Sequence, residues 1–352
     1  MNYLVYLHSA WISQRVLCKI FENNLDYKKV WEKLSNKFLE KYYSSNEIKK
    51  ILQTKSRLDT KKLDEKIKKL QVKIITIHNK NYPEKLKNIS NPPYFLYVRW
   101  ELNWSDNFFA IVGSRKISNY AKKVGESIIP NLTKYFTIVS GWAWGCDTLA
   151  HKLSLENFGK TIVVFWTWID ITYPVWNGKL FEKVLEMWWA LVSIFPIWTP
   201  WGTYTFPVRN EIVSGMSSWV LVLEASEKSW TIITANLALD QWKDLFAIPG
   251  DIFHLNSVWT NNLIKTGQAK LTTSVNDILE EYNYKVIDTK KEVILENEIQ
   301  KNIFELLKYN LSLSIDEILE KTWFDYGVLS LNLSLMELNW ILKKDMFGKY
   351  FI

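Results

Sequence analysis

The chain has 352 residues, 48% of them hydrophobic, and a formal net charge of +7; that apolar content suits a sizeable core in two or three domains and excludes a disordered chain. Two isolated cysteines, Cys18 and Cys146, and four scattered histidines, His8, His78, His151 and His254, exclude a disulfide framework and give no paired metal spacing, so no metal or cofactor is expected and the compartment is a reducing one. The N-terminus has no basic region leading into an unbroken apolar stretch, and the strongest apolar run, Thr161 to Ile169, stops at Asp170, short of the ~20 residues of a spanning helix; a cytoplasmic protein with no membrane partner is expected.

Residues 1–70 read as a small helical domain, with Leu17, Ile20, Phe21, Leu25 and Val30 recurring at three or four. Residues 28–73 hold 15 Lys plus Arg and 6 Asp plus Glu, a balance of +9. Such a stretch attracts polyanions non-specifically, but Lys interspersed with Leu and Ile reads first as the solvated face of helices. From Val72 the pattern changes to short β-branched and aromatic runs between helical segments: VKIITI from 72, FFAIV at 108–112, FTIVS at 136–140, KTIVVF at 160–165, ALVSI at 190–194, WVLVLE at 219–224 and DLFAI at 244–248. Strands that apolar are buried on both faces, so residues 71–285 read as an α/β, Rossmann-like domain with a mainly parallel sheet flanked by helices. A charged linker at 286–297 leads to residues 298–352, three helices and a hairpin around Gly348, the order of a winged helix. Ser314 and Glu317 have capping-box spacing in it. Its third helix, Asp325 to Asn339, has no Lys or Arg, which favours a protein-contact or positioning role over groove insertion.

Tryptophan is in surplus, 19 Trp against 12 Gly, where average usage near 7% would give roughly 25 Gly. The surplus falls in turns and loops that call for a residue without Cβ: Trp142, Trp144, Trp166, Trp168, Trp188, Trp189, Trp198, Trp201, Trp230, Trp242 and Trp259. These are expected to be glycines of a lineage that reads UGA as Gly, written as Trp under the standard code.

Four segments carry the candidate site. Gly113, Ser114 and Arg115, at a strand-to-helix turn, offer backbone N–H groups, a hydroxyl and a guanidinium to one anion. After the next strand comes Ser140-Gly-Trp-Ala-Trp-Gly-Cys-Asp147. With glycine at 142 and 144, its backbone around Ser140, Gly141 and Gly145 forms a second anion-binding concavity, which two indoles would obstruct. Asp147 reads as a helix cap and His151, one turn on, as structural support. In Phe206-Pro-Val-Arg-Asn-Glu211 an exposed Phe206 would stack on a base while Arg209 and Asn210 reach phosphates or adjacent loops. Ser229 and Thr231 give a hydroxyl-bearing helix start. No residue is assigned a catalytic role.

Together these segments resemble the DNA-processing protein A family, also called DprA or Smf. The resemblance runs through GSR at 113–115, SGxAxGxD at 140–147 with His151, YPxxN at 173–177, FPxRN at 206–210, SxTxxTA at 229–235, and AIPG at 247–250 followed by TNxLI at 260–264. It implies a helical N-terminal domain, an extended Rossmann-like core and a winged-helix-like C-terminus. It also implies binding and protection of single-stranded DNA, loading of RecA recombinase during natural transformation, and a homodimer. Gly113, Ser114 and Arg115 match the family's phosphate-contacting motif, and Phe206, Arg209 and Asn210 match the segment bordering its DNA pocket. Two basic residues usual in the family are missing, since Trp144 and Val208 occupy their positions. The rival reading is a Rossmann-like nucleotide hydrolase of the lysine-decarboxylase-like group, which carries PGGxGTxxE. With glycine at 201, residues 200–205 would read PGGTYT, without the Gly-Thr and the acid. No GxGxxG follows a strand, which sets aside a dinucleotide oxidoreductase.

Overall fold

A computed structural model describes residues 2–100, 107–170, 178–187, 189–199, 202, 204–226, 229–285, 295–310, 312–339, 341–345 and 348–351. The chain divides into two compact units, Met1–Val286 and Ile287–Ile352.

The first unit is built on a sheet of nine strands: β1 (Val72–Thr76), β2 (Phe95–Arg99), β3 (Phe108–Val112), β4 (Thr137–Ser140), β5 (Thr161–Val164), β6 (Ala190–Ser193), β7 (Trp219–Val222), β8 (Asp244–Ala247) and β9 (Lys270–Leu271). Their order is β1-β2-β6-β5-β4-β3-β7-β8-β9. The pairs from β6 to β9 are parallel, and β1 and β2 add an antiparallel edge. Every residue of β3, β4, β5, β6 and β7 is buried, because helices cover both faces and no position alternates to water. On β3, Phe108, Ala110 and Val112 enter one core cluster while Phe109 and Ile111 enter another, the period of two that a pleated strand imposes. The chain runs outward from β3 through β4 and β5 to β6, then returns to lay β7 against the other side of β3. That reversal leaves a crevice at the carboxyl ends of β3 and β7, where open α/β sheets take their ligands.

Two strands lacked a sequence expectation. β2 follows two prolines as an aromatic run, FLYVR, and four of its five residues are buried. β9 has two residues, too few for any periodicity. Helices between Tyr3 and Lys69 place Leu7, Leu17, Ile20 and Leu63 in one cluster with Phe95, Tyr97 and Leu191 of the sheet, so packing is continuous across residue 70. His8 lies buried in this layer, its Nδ1 2.8 Å from the Tyr97 hydroxyl. Among the described residues no helix is long and apolar enough to cross a membrane.

The second unit has helices Glu298–Lys308, Ile315–Thr322 and Tyr326–Leu338 and a hairpin of β10 (Lys343–Lys344) and β11 (Tyr350–Phe351). The Ser314–Glu317 capping box is formed.

Nine non-glycine residues have positive φ among the described residues, and five of them are tryptophan: Trp11, Trp100, Trp198, Trp242 and Trp323. Left-handed backbone disfavours a bulky side chain. At the end of helix Trp230–Asp240 the Trp242 N–H donates to Leu239 O at 3.0 Å and the Lys243 N–H to Ala238 O at 2.9 Å, the Schellman motif whose left-handed position glycine usually fills. Trp11 ends helix Tyr3–Ser9 in the same way, with Trp11 N–H bonded to His8 O and Ile12 N–H to Leu7 O. The Trp242 side chain is 95% exposed, so it gains no burial to offset the strain. Trp242→Gly is therefore expected to stabilise the fold by about 1 kcal/mol, read as a higher urea midpoint at unchanged slope.

Candidate functional site

A cavity of about 250 Å³ opens at the carboxyl edge of the sheet. β3 delivers Gly113-Ser114-Arg115 to it, and the turn is fastened to its neighbours. The Ser114 N–H donates to Glu224 O at 3.1 Å and the Cys146 N–H to Ser114 O at 3.1 Å. Glu224, just past the end of β7, accepts from the Ser118 N–H at 2.9 Å, the Ser118 hydroxyl at 2.7 Å and the Asn256 amide at 3.5 Å. These bonds fix the loop and leave Arg115 exposed at the cavity, its guanidinium 4.5 Å over the Phe206 ring.

β4 delivers the second loop, tied to β3 by the Ser140 hydroxyl, which donates to Ile111 O at 2.7 Å. At Gly141 any Cβ would overlap Nη1 of Arg209, and at Gly145, with φ +84°, it would overlap the carbonyls of Ser114 and Arg115. Close approach of the two loops thus requires glycine at 145, and the seat of the Arg209 guanidinium requires it at 141. Arg209 is 4% exposed and pairs with Asp147 Oδ2 at 3.4 Å. The same oxygen accepts the Ala143 N–H at 3.1 Å, so one buried carboxylate holds both the cation and the loop. Burial lowers the Arg209 pKa and Asp147 opposes that shift. His151 is fully buried, and desolvation pushes its pKa down to about 4. Its Nε2 lies 2.7 Å from Gly141 O and its Nδ1 2.7 Å from the Thr161 hydroxyl. Asp147 and His151 therefore brace the loop from beneath.

The structure brings Gly113, Ser114, Arg115, Gly141, Phe206, Arg209, Asn210, Ser229 and Thr231 to one cavity wall, with Asp147. Ser229 caps helix Trp230–Asp240 by accepting the Thr231 N–H. Ser140 and Gly145 act from behind that wall, through the β3 bond and the close turn.

Three expectations are corrected. The indoles of Trp142 and Trp144 do not obstruct the loop: Trp142 is fully buried against His151 and Phe165, at 5.7 Å from each ring, and Trp144 is 54% exposed, and neither lines the cavity. Phe206 is not an open platform. It is 6% exposed, with Arg115 above it, Trp166 4.5 Å away and Trp230 5.8 Å away. Arg209 is engaged by Asp147 and covered, so among the described residues the accessible cations at the cavity are Arg115 and its neighbour Lys116.

The remaining tryptophans of the set are dispersed. Trp198 is exposed with φ +63°, Trp259 packs against the core, and Trp188, Trp201 and the YPxxN segment lie outside the described residues. The indole N–H groups of Trp142, Trp166, Trp168 and Trp189 are buried without an acceptor among the described residues, an arrangement that native interiors avoid.

Sequence reasoning missed Glu224 and Asn256. The one available signal for Glu224 was a carboxylate closing an otherwise apolar strand run at the ligand edge. Asn261, in TNxLI, clamps the AIPG loop by accepting the Gly250 N–H at 3.0 Å and donating to Gly250 O at 2.9 Å. Among the described residues no cluster of His, Cys, Asp and Glu is suited to a metal ion.

The model of the DNA recombination-mediator protein A family matches residues 73–283. The protein Smf of Escherichia coli K12 is 38% identical over 213 residues, which cover 60% of this chain and 57% of that protein's length. The DNA processing protein DprA of Streptococcus pneumoniae is 37% identical over 204 residues, 58% of this chain and 72% of the relative. Among solved structures, DNA processing protein A from S. pneumoniae aligns with a TM-score of 0.66 at 30% identity, covering 82% of this chain and 99% of that one. The Helicobacter pylori protein, described for its unique single-stranded DNA binding mode, aligns with a TM-score of 0.53 at 25% identity over 60% of this chain and 96% of its own.

Proposed function

Because the chain belongs to the DNA recombination-mediator protein A family, we propose that the cavity at its sheet edge grips single-stranded DNA without cutting it, and that the protein protects the strand and loads RecA recombinase in the cytoplasm during natural transformation, as a homodimer. The observation that carries this reading is Arg115: an exposed guanidinium on a rigid turn, beside hydroxyls and helix-start amides, where the carboxyl ends of β3, β4 and β7 converge. Such a site meets phosphates, which makes binding tolerant of sequence and sensitive to salt. Arg115→Ala is expected to weaken binding of every oligonucleotide sequence alike and to reduce the slope of log affinity against log salt by about 1. Affinity for oligo-dT unchanged by the substitution refutes the assignment.

The reading extends to the tryptophans. Among the described residues, five left-handed tryptophans and four buried indole N–H groups without acceptors support glycine at such positions in the native protein, encoded by UGA. Peptide mass spectrometry of the protein from its own cells decides the matter: glycine is expected at 242 and 142, and tryptophan at both refutes it.

A further inference from the structure

The loop after β8 carries an unexplained apolar group. Ile252, Phe253 and Leu255 are 75%, 88% and 77% exposed within four residues, yet the loop is firmly held. Asp251 Oδ1 accepts the Phe253 N–H at 2.9 Å, the Ser257 N–H donates to His254 O, and the Ala225 N–H donates to Asn256 O at 2.8 Å. Asp251 and His254 of the same loop line a groove with Tyr120, which is half exposed, its hydroxyl fixed to Pro249 O at 2.7 Å. Ser118 and Ser257 also line this groove. It adjoins the Arg115 cavity directly, since Asn256 and Lys116 line that cavity, the Asn256 amide donates to Lys116 O at 3.2 Å, and Ser257 and Ser118 belong to the groove.

We propose that this groove continues the single-stranded DNA track, with Tyr120 inside it and the exposed Phe253, on the loop between the groove residues Asp251 and His254, as stacking partners for the bases. The inference rests on the phosphate-binding reading of the neighbouring cavity. A strand leaving Arg115 passes the exposed Lys116 and reaches the Tyr120 ring, fixed through its hydroxyl, beside Ser118 and Ser257, with the exposed Phe253 ring on the adjoining loop, a combination of cation and aromatic rings by which single strands are held without reading their sequence. Ile252 and Leu255 give the sugars an apolar flank. Continuity with the cation-bearing turn favours a nucleic-acid strand over a second protein as the occupant.

The test compares a thymidylate trinucleotide and a dodecamer on the wild type, Arg115→Ala, Phe253→Leu and Phe253→Trp. Phe253 is solvent-exposed, so its variants keep the fold. Phe253→Leu is expected to lose about tenfold in affinity for the dodecamer, to bind the trinucleotide as the wild type does, and to be rescued by Phe253→Trp. A dodecamer with abasic positions should bind wild type and Phe253→Leu alike. Equal dodecamer affinity for Phe253→Leu and the wild type overturns the proposal, and a reduced solution mass for Phe253→Ser would then make the loop a protein contact. Failure of the cavity reading looks different: Arg115→Ala binds the trinucleotide unchanged, or the wild type binds neither oligonucleotide.

Discussion

Replacing Asp147 by Asn is expected to destabilise the fold by about 3–5 kcal/mol, because it strands the Arg209 charge in the interior. The geometry leaves Arg209 little escape. The residue is 4% exposed and Asp147 7%, its Nε has no partner among the described residues, and Gly141 closes against its guanidinium so tightly that no Cβ fits between them. Asn at 147 can still accept the Ala143 N–H, so the loss isolates the charge from the loop bond. Arg209→Met on the Asp147→Asn background should return most of the stability, since an apolar side chain replaces an ion pair in a dry site at little net cost. Urea denaturation of the two singles and the double gives the coupling. A cost under about 1 kcal/mol for Asp147→Asn would mean that Arg209 reaches water.

The same pair explains how a polyanion site tolerates a buried carboxylate. Asp147 neutralises Arg209, and Arg209 with the bound loop stabilises the buried Asp147, so among the described residues the unpaired positive charge lining the cavity is that of Arg115 and Lys116.

What the residues disclosed in advance was local chemistry. The apolar runs marked seven strands, five of them with no exposed positions because they are buried on both faces, and GSR and SGxAxGxD marked the loops because a turn against a helix start needs small residues at fixed offsets. What stayed hidden was long-range. Whether Phe206 would be open depended on Trp166, Trp230 and Arg115, which come from three other segments, and no spacing within FPVRN encodes that. Glu224 binds Ser118 across 106 residues and leaves no periodic trace. β2 was readable as an aromatic run, but the preceding prolines read as loop. The tryptophans were conspicuous as composition; their physical cost became visible only as positive φ and unpaired indoles.

Mild acid should destabilise this protein through its buried histidines. His8 and His151 are fully buried, and desolvation pushes their pKa values down to about 3 and about 4 from the ordinary 6.5. A folded pKa below the unfolded one means that the unfolded chain binds more protons, so stability is intact above pH 6.5 and falls as the pH drops toward the folded values. By pH 5 each histidine has withdrawn about 2 kcal/mol, or about 4 together, a large share of the ~5–15 kcal/mol that holds a typical domain. Carboxylates with lowered pKa values, such as Asp277 held by Thr273 and Ser274 N–H groups, lose their contribution only at lower pH, so the window between 7 and 5 belongs to the histidines. Urea midpoints across that window should fall steeply in the wild type and less in His151→Gln, which keeps a donor for Gly141 O and cannot take up the proton. A flat stability profile from pH 7 to 5 would show that neither ring is held neutral, and the brace beneath the loop would need another explanation.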